Sequence, residues 1–290
     1  EEPSPGAKGK KHFNNIEDAA KCTFMVSLTC GGMPQRRYSV YAHVDRSNTE
    51  VSVISLGIET FEAALHSKGL SSEVTEYISG HKDKKSSSFK PEKDERLRDA
   101  FKRSFYANYP EYQGSRVMLM DVRDMHDPAS QKDLSKHIGK NPAIIRNIID
   151  RHSDKLREAM ERTMLFLQSV LNSSCDLGTP LNSQGEPCSP EELKDDHLVV
   201  AFLCKSGRHR SVATTLLIAR CLAEANWSRV RTRHFEQANW HERGCQKIGY
   251  TCPDCDSKDA EASRIQLMDQ PIVLWKHTEK EFRAVMKISA

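Results

Sequence analysis

Residues 198–211, LVVAFLCKSGRHRS, run from an apolar segment straight into a loop of Cys, Lys, Ser, Gly, Arg, His and Arg. Residues 198–203 are apolar without alternation, the pattern of a strand buried on both faces, as in a parallel sheet. Residues 211–225, SVATTLLIARCLAEA, are helix-forming and apolar almost all round. Strand, tight loop and helix in direct succession aim the free N–H groups of a helix N-terminus at whatever the loop holds. Gly207 lets the backbone close in, and the Arg210 guanidinium can grip an oxyanion through two parallel hydrogen bonds. The stretch predicts an α/β fold with three layers, a mostly parallel sheet with helices on both faces, and an anion in the loop.

Working outward, residues 116–122 and 229–234 read as further strands, joined to the first by right-handed crossovers. Their ends, Asp121, Cys204 and His234, converge on one rim, which is where open α/β sheets place their ligands. That makes Arg123, Arg210 and His234 candidate contacts beside Lys205, Ser206, Gly207, Arg208, His209 and Ser211. Between the first two strands, Asn141 can cap a helix opened by Pro142, with a stripe of Ile144, Ile145, Ile148 and Ile149. A second stripe, Leu156, Met160, Met164 and Leu167, follows a break at Ser153. Upstream, residues 22–29, 37–44 and 51–56 are β-rich runs between turn-like segments, which predicts a three-stranded meander; helices are expected from Thr60 and after Pro91. The organisation expected is residues 16–109 for meander and helices, 110–256 for the α/β domain with a Cys-rich extension, and 257–290 for a short strand and an amphipathic helix.

Two families use such a loop. Cys204, five residues, Arg210 and Ser211 have the spacing of cysteine-dependent phosphatases, in which a thiolate attacks phosphorus while the loop amides and Arg stabilise the transferred group. There Cys204 is the nucleophile and Asp124 or Asp127 the general acid; most such enzymes, however, carry a His where this chain has Leu203. Residues 116–234 as a whole resemble the C-terminal domain of the RNase adapter protein RapZ. Its loop reads Gly-Cys-Thr-Gly-Gly-Lys/Gln/Arg-His-Arg-Ser, matched here by Leu203 to Ser211 with the His209-Arg210-Ser211 ending intact. The family's Asp-Val-Arg-Phe-Leu-Pro-Asn-Pro is matched at Asp121, Val122, Arg123 and Pro128. Gly139 aligns with a family Gly, and His234 with its closing His. Ala129 departs from the family, which often places a ligand-contacting His there. The resemblance implies a regulatory domain binding a sugar phosphate or RNA backbone without catalysis. The bacterial protein's Gly-rich nucleotide loop does not occur in these residues, so roles that depend on it are not implied.

With 43 Lys/Arg against 40 Asp/Glu, net charge says little, but residues 204–247 hold nine Lys/Arg and three Glu. A local excess of +6 suits phosphorylated small molecules or RNA, although aromatics interleaved for base stacking are lacking. No run approaches the roughly 18 apolar residues of a membrane span. Residues 1–11 lack a secretory h-region, so a cytoplasmic location is expected, with oligomerisation left open.

Nine Cys in uneven spacing argue against a disulfide framework. Cys252-Pro253-Asp254-Cys255 forms a knuckle that offers two thiolates to one metal, and Cys245 lies close upstream. A fourth ligand completes a structural zinc site: His241, one helical turn before Cys245, or His234. A zinc-containing RNA-binding module is the reading that joins both features.

Overall fold

In the computed structural model the elements follow in the order β1 (Glu50–Gly57), α1 (Glu95–Asn108), β2 (Arg116–Asp121), α2 (Pro142–Arg151), α3 (Ser153–Leu171), β3 (His197–Cys204), α4 (Arg210–Glu224), β4 (Arg229–His234), α5 (Lys258–Leu267) and α6 (Asp269–Ile288). The structure describes residues 46, 48–59, 95–131, 133–171, 188, 194, 197–240, 245 and 251–288. Ala42–Phe282 is one compact unit, and the sheet and both candidate sites lie within it; the second unit, Glu1–Tyr41 with Arg283–Ala290, falls almost wholly outside the described residues.

The four strands pair in parallel in the order β2-β3-β1-β4. Alternate residues of β1, β2 and β3 face two separate cores. Leu198, Val200, Phe202 and Cys204 of β3, with Val51, Val53 and Met120, pack under the apolar stripes of α2, α3 and α4. Val199, Ala201 and Leu203, with Ile54, Leu56, Val117 and Leu119, pack against Phe101 and Phe105 of α1. This is the expected α/β arrangement with helices on both faces, and the continuous apolar reading of β3 follows from it. β4 is the outermost described strand, and its exposed Arg229, Arg231 and Arg233 suit an edge that charge protects from further pairing.

α2 begins as its residues dictate. The Asn141 side chain accepts a hydrogen bond from the Ala143 amide at 2.9 Å, Pro142 takes the first turn, and Ile144, Ile145, Ile148 and Ile149 are buried. The chain breaks at His152 and restarts at Ser153.

Two expectations are corrected. The run 51–56 is no meander strand: β3 occupies one of its edges and β4 the other, both in parallel, so no edge is left for an antiparallel neighbour. Its residues are apolar toward both cores, which marks an interior strand. The runs 22–29 and 37–44 and the helix expected from Thr60 lie outside the described residues. Residues 257–290 contain no strand among the described residues; they form α5 and α6, α5 being capped by the Ser257 side chain, which accepts from Ala260 N at 3.1 Å.

The neighbouring strands β1 and β3 lead to helices on opposite faces, α1 and α4. Their carboxyl ends, Gly57 and Cys204, therefore flank a topological switch point, the usual position for a ligand in such sheets. No helix among the described residues is long and apolar enough to cross a membrane.

Candidate functional site

The loop between Cys204 and Arg210 sits at this switch point. Gly207 has φ +61°, and a β-carbon there would lie 2.2 Å from Glu236 Cγ and 2.7 Å from Gly57 N, so neither the conformation nor the space admits a side chain. Gly57 answers it across the gap, where a β-carbon would meet Ser206 C at 2.9 Å. No hydrogen bond engages Ser206 or Gly207 among the described residues. The 15-residue α4 then starts at His209 without a side-chain cap. Unpaired loop amides that lead into an uncapped helix terminus form a concentration of positive dipole ends suited to an anion.

The charged residues of the loop divide by role. Lys205 is exposed, 3.8 Å from Glu59. Arg208 is half-buried and donates to the Ser135 carbonyl at 3.0 Å. His209 is buried, with Nε2 2.8 Å from the His137 carbonyl and Nδ1 3.2 Å from Asp127. Arg210 is also buried. Its Nη1 donates to the carbonyls of Arg123 (2.7 Å) and Met125 (2.9 Å), and Nη2 lies 3.5 Å from Asp127. Its Nε is buried without a partner. The fork expected to grip an anion thus ties the loop after β2 to the loop after β3, with Nε as the donor it keeps in reserve.

Other expected residues are placed as follows. Arg123 is held by Asp121, with Nε and Nη2 each 2.8 Å from the carboxylate. Burial raises the Asp121 pKa against the lowering effect of Arg123. Asp124 is exposed and pairs with Lys155 at 2.7 Å. The Cys204 thiol is buried in the core on the α4 side, 3.1 Å from Ser211 Oγ. His234 bonds through Nδ1 to Ser55 Oγ at 2.8 Å, and burial, aided by the Lys140 charge, pushes its pKa down to about 4. A neutral imidazole is no cation for phosphate, and among the described residues it is His137, not His234, whose nitrogen stands with the cysteine sulfurs. The basic residues of β4 are tied locally: Arg229 to the Asn48 carbonyl, Arg231 to Glu50, and Arg233 to Glu111 while stacking on Phe235.

The second site is a group of His137, Cys245, Cys252 and Cys255, whose ligand atoms all lie within 4.8 Å of one another. Cys245 Sγ is 3.5 Å from Cys255 Sγ, and His137 Nδ1 is 3.6 Å from the sulfurs of both Cys252 and Cys255. Ligands of a tetrahedral zinc stand about 3.8 Å apart for two sulfurs and about 3.6 Å apart for sulfur and nitrogen. The donor set fits such an ion. The surroundings fit as well: the Ile138 amide donates to the sulfurs of Cys245 and Cys255, and the other ring nitrogen of His137 faces the Asp254 carboxylate at 3.7 Å. Burial pushes the Cys245 thiol up to about 11 and that of Cys255 higher still. Trp240 packs under the knuckle with Ile138 and Val212. His241 lies outside the described residues.

Sequence reasoning missed His137, Glu236 and Gly57. Glu236, 3% exposed, accepts from the Gly57 amide at 3.3 Å and abuts Gly207. Its signal was position, two residues past the end of a strand that closes on the loop. Gly57 could have been found once residues 51–56 were read as an interior strand.

A model described as the RapZ C-terminal domain matches residues 101–238. This segment belongs to the RapZ C-terminal domain family. A curated relative from Ruegeria pomeroyi, named a nucleotide-binding protein, is 33% identical over 120 residues, which cover 41% of this chain and 35% of that protein. The chain thus spans about a third of the length of the curated relative it matches. No solved structure matches the chain. The RapZ-type segment contains β2 to β4, the 204–211 loop and His137, and ends before the three cysteines.

Proposed function

We propose that the RapZ-type segment is a regulatory or adapter domain that binds a phosphorylated small molecule in the 204–211 loop without chemical turnover. The observation that carries this reading is the loop itself: Gly207 at φ +61°, the Ser206 and Gly207 amides without a hydrogen bond among the described residues, and an uncapped α4 behind, at the switch point of the sheet. Phosphate oxygens would meet the amides of residues 206–211, with Lys205 at the exposed rim and Arg210 Nε as a buried donor. Binding rather than catalysis is favoured because Cys204 points into the core and Asp124 is engaged by Lys155. The cytoplasm is the compartment in which such a ligand would be met.

The reading includes a structural zinc at the Cys/His cluster. Four protein ligands leave no open position, which suits a structural rather than a catalytic ion.

Amide chemical shifts recorded while inorganic phosphate, nucleoside phosphates and a short RNA are titrated in turn test the proposal. Saturable shifts at residues 205–211 are expected with at least one phosphorylated small molecule. A loop unmoved by all of them would sink the anion reading, whereas shifts with RNA alone would replace the small molecule by a nucleic acid. Hydrolysis of an aryl phosphate that disappears in Cys204→Ser would replace binding by phosphatase chemistry.

A further inference from the structure

The metal cluster and the anion loop share one short segment. Residues 135–139 form a strap with little regular structure, yet three of its five residues bond to the loop. The Ser135 carbonyl accepts from Arg208 Nη2 at 3.0 Å, the His137 carbonyl lies 2.8 Å from His209 Nε2, and the Gly139 amide donates to the Arg208 carbonyl at 2.8 Å. The same strap faces the cluster from its other side. His137 offers Nδ1 to the sulfurs of Cys252 and Cys255, and the Ile138 amide donates to those of Cys245 and Cys255. Just downstream, Asn141 Nδ2 donates to the Asp254 carbonyl at 3.3 Å, and Arg264 bridges the carbonyls of Lys140 and Cys255. His137 thus belongs to both sites at once, through its ring on one side and its carbonyl on the other.

We infer that a zinc ion bound by His137, Cys245, Cys252 and Cys255 holds the 135–139 strap in place and thereby sets the shape of the 204–211 loop, so that metal occupancy controls anion binding. This rests on the zinc reading of the cluster. The physical argument is one of support. Among the described residues the apolar cluster under the strap is small, with Ile138, Val212 and Trp240 its buried members besides the cysteines and Leu216 packed against it, so packing adds modestly to the hydrogen bonds that hold the strap. Four metal bonds fix one strap side chain and three cysteines to a common point, and their binding free energy becomes ordering free energy for the segment. Two sites that share one segment are coupled, and the coupling is reciprocal: an anion bound in the loop should tighten zinc by the same factor as zinc tightens the anion.

The test compares the full chain, purified under reducing conditions with its metal, against the same protein after chelation. One zinc per chain is expected; less than about half an equivalent would remove the zinc reading and the inference with it, since structural zinc is held tightly. Cobalt substituted into the wild type should give a tetrahedral sulfur-rich spectrum that changes in His137→Ala. His137→Cys, which restores a fourth ligand, should retain the metal if the alanine variant is too unstable to study. A cobalt spectrum indifferent to His137 would overturn the assignment.

Hydrogen exchange reads the coupling without any ligand. Chelation should speed exchange at the bonded amides of Gly139 and Ala213 by tenfold or more while α3 keeps its protection. Exchange at the same rate there with and without metal would overturn the inference, as would equal loss of protection in α3, which would make the ion a general stabiliser. Inorganic phosphate should bind the chelated form about tenfold more weakly, a difference of about 1.4 kcal/mol. Phosphate binding to neither form, alongside a metal-dependent loop, would overturn the proposed function and the control of anion binding, and would support only the effect of the metal on the loop.

Discussion

Gly139→Ala probes the strap at the point where it is tightest. A β-carbon at this position would stand 2.3 Å from the His209 carbonyl oxygen, 2.6 Å from Ala213 N and 2.7 Å from Val212 Cβ. Two of these three neighbours are backbone atoms at the start of α4, which cannot rotate away as a side-chain tip can. Relief requires the strap to retreat by about 1 Å, given carbon contacts of about 3.5 Å. That movement would break the 2.8 Å bond from the Gly139 amide to the Arg208 carbonyl. Overpacking of this kind costs about 1–3 kcal/mol, and the lost hydrogen bond about 1 kcal/mol more, so a loss of about 2–4 kcal/mol is expected. For a unit of this size each kcal/mol lowers Tm by about 2–4 °C, which puts the variant about 5–15 °C below the wild type. Urea unfolding and calorimetry would measure both quantities, with exposed Lys205→Ala as a control expected within about 0.5 kcal/mol of the wild type. A Gly139→Ala protein less than about 1 kcal/mol destabilised, with loop amide shifts unchanged, would refute the claim that strap and loop are in rigid contact.

Other perturbations separate the remaining contacts. Asn141→Ala should cost about 1–2 kcal/mol in urea unfolding through loss of the α2 cap, whereas Asn141→Asp keeps an acceptor for the Ala143 amide and should lose less; equal losses would show that the bond to the Asp254 carbonyl dominates. Arg210→Ala strips the donor from two carbonyls and should destabilise by about 2–4 kcal/mol. Arg210→Lys should recover little, because one ammonium cannot reproduce the fork; full recovery in chemical denaturation would argue against the clamp. His234 is depressed to about 4 against an unfolded value near 6.5, so the stability it protects is complete above pH 6.5 and drains away as pH falls towards 4, by at most about 3 kcal/mol. His234→Asn should flatten that slope in unfolding curves taken across this range, and an unchanged slope would show that other groups set it.

The parts of the fold legible in the sequence are those whose signal is local. Six consecutive apolar residues gave β3, the Asn141-Pro142 pair gave the start of α2, and a polar break gave the junction at His152. The fate of residues 51–56 was not local. VSVISL sets two serines among apolar residues without strict alternation, which does not by itself tell a meander strand from an interior one, and Ser52 and Ser55 finding His197 and His234 as partners makes burial on both sides tolerable. Residues 257–290 misled for the opposite reason: the β-branched Ile272 and Val273 suggest a strand, but the apolar Met268, Ile272 and Trp275 recur at helical spacing and pack on the main core, and that periodicity decides.

Arg210 and His137 show where residue-by-residue reading of a site runs out. Arg210 was expected at the anion because a guanidinium matches an oxyanion, yet the carbonyls of Arg123 and Met125 offer it the same geometry from the neighbouring loop. Which acceptor it meets depends on how two strand ends sit side by side, and no spacing within 204–211 encodes that. His137 is the sharper case. It lies 115 residues before Cys252, in a segment whose sequence, DLSKHIGKNP, advertises only a helix about to begin. A search confined to the vicinity of the knuckle reaches His241 and His234 and stops. Yet His234 is not among the ligand atoms grouped with the cysteines, and the sheet carries the strap after β2 past the loop after β3 to the point where the knuckle arrives. The residue nearest in sequence to a Cys-x-x-Cys pair is therefore a weaker candidate for the closing ligand than a His on whichever loop the sheet topology brings beside it. In this protein that strap also bonds to the 204–211 loop, which is why His137 touches both the loop and the cysteine cluster.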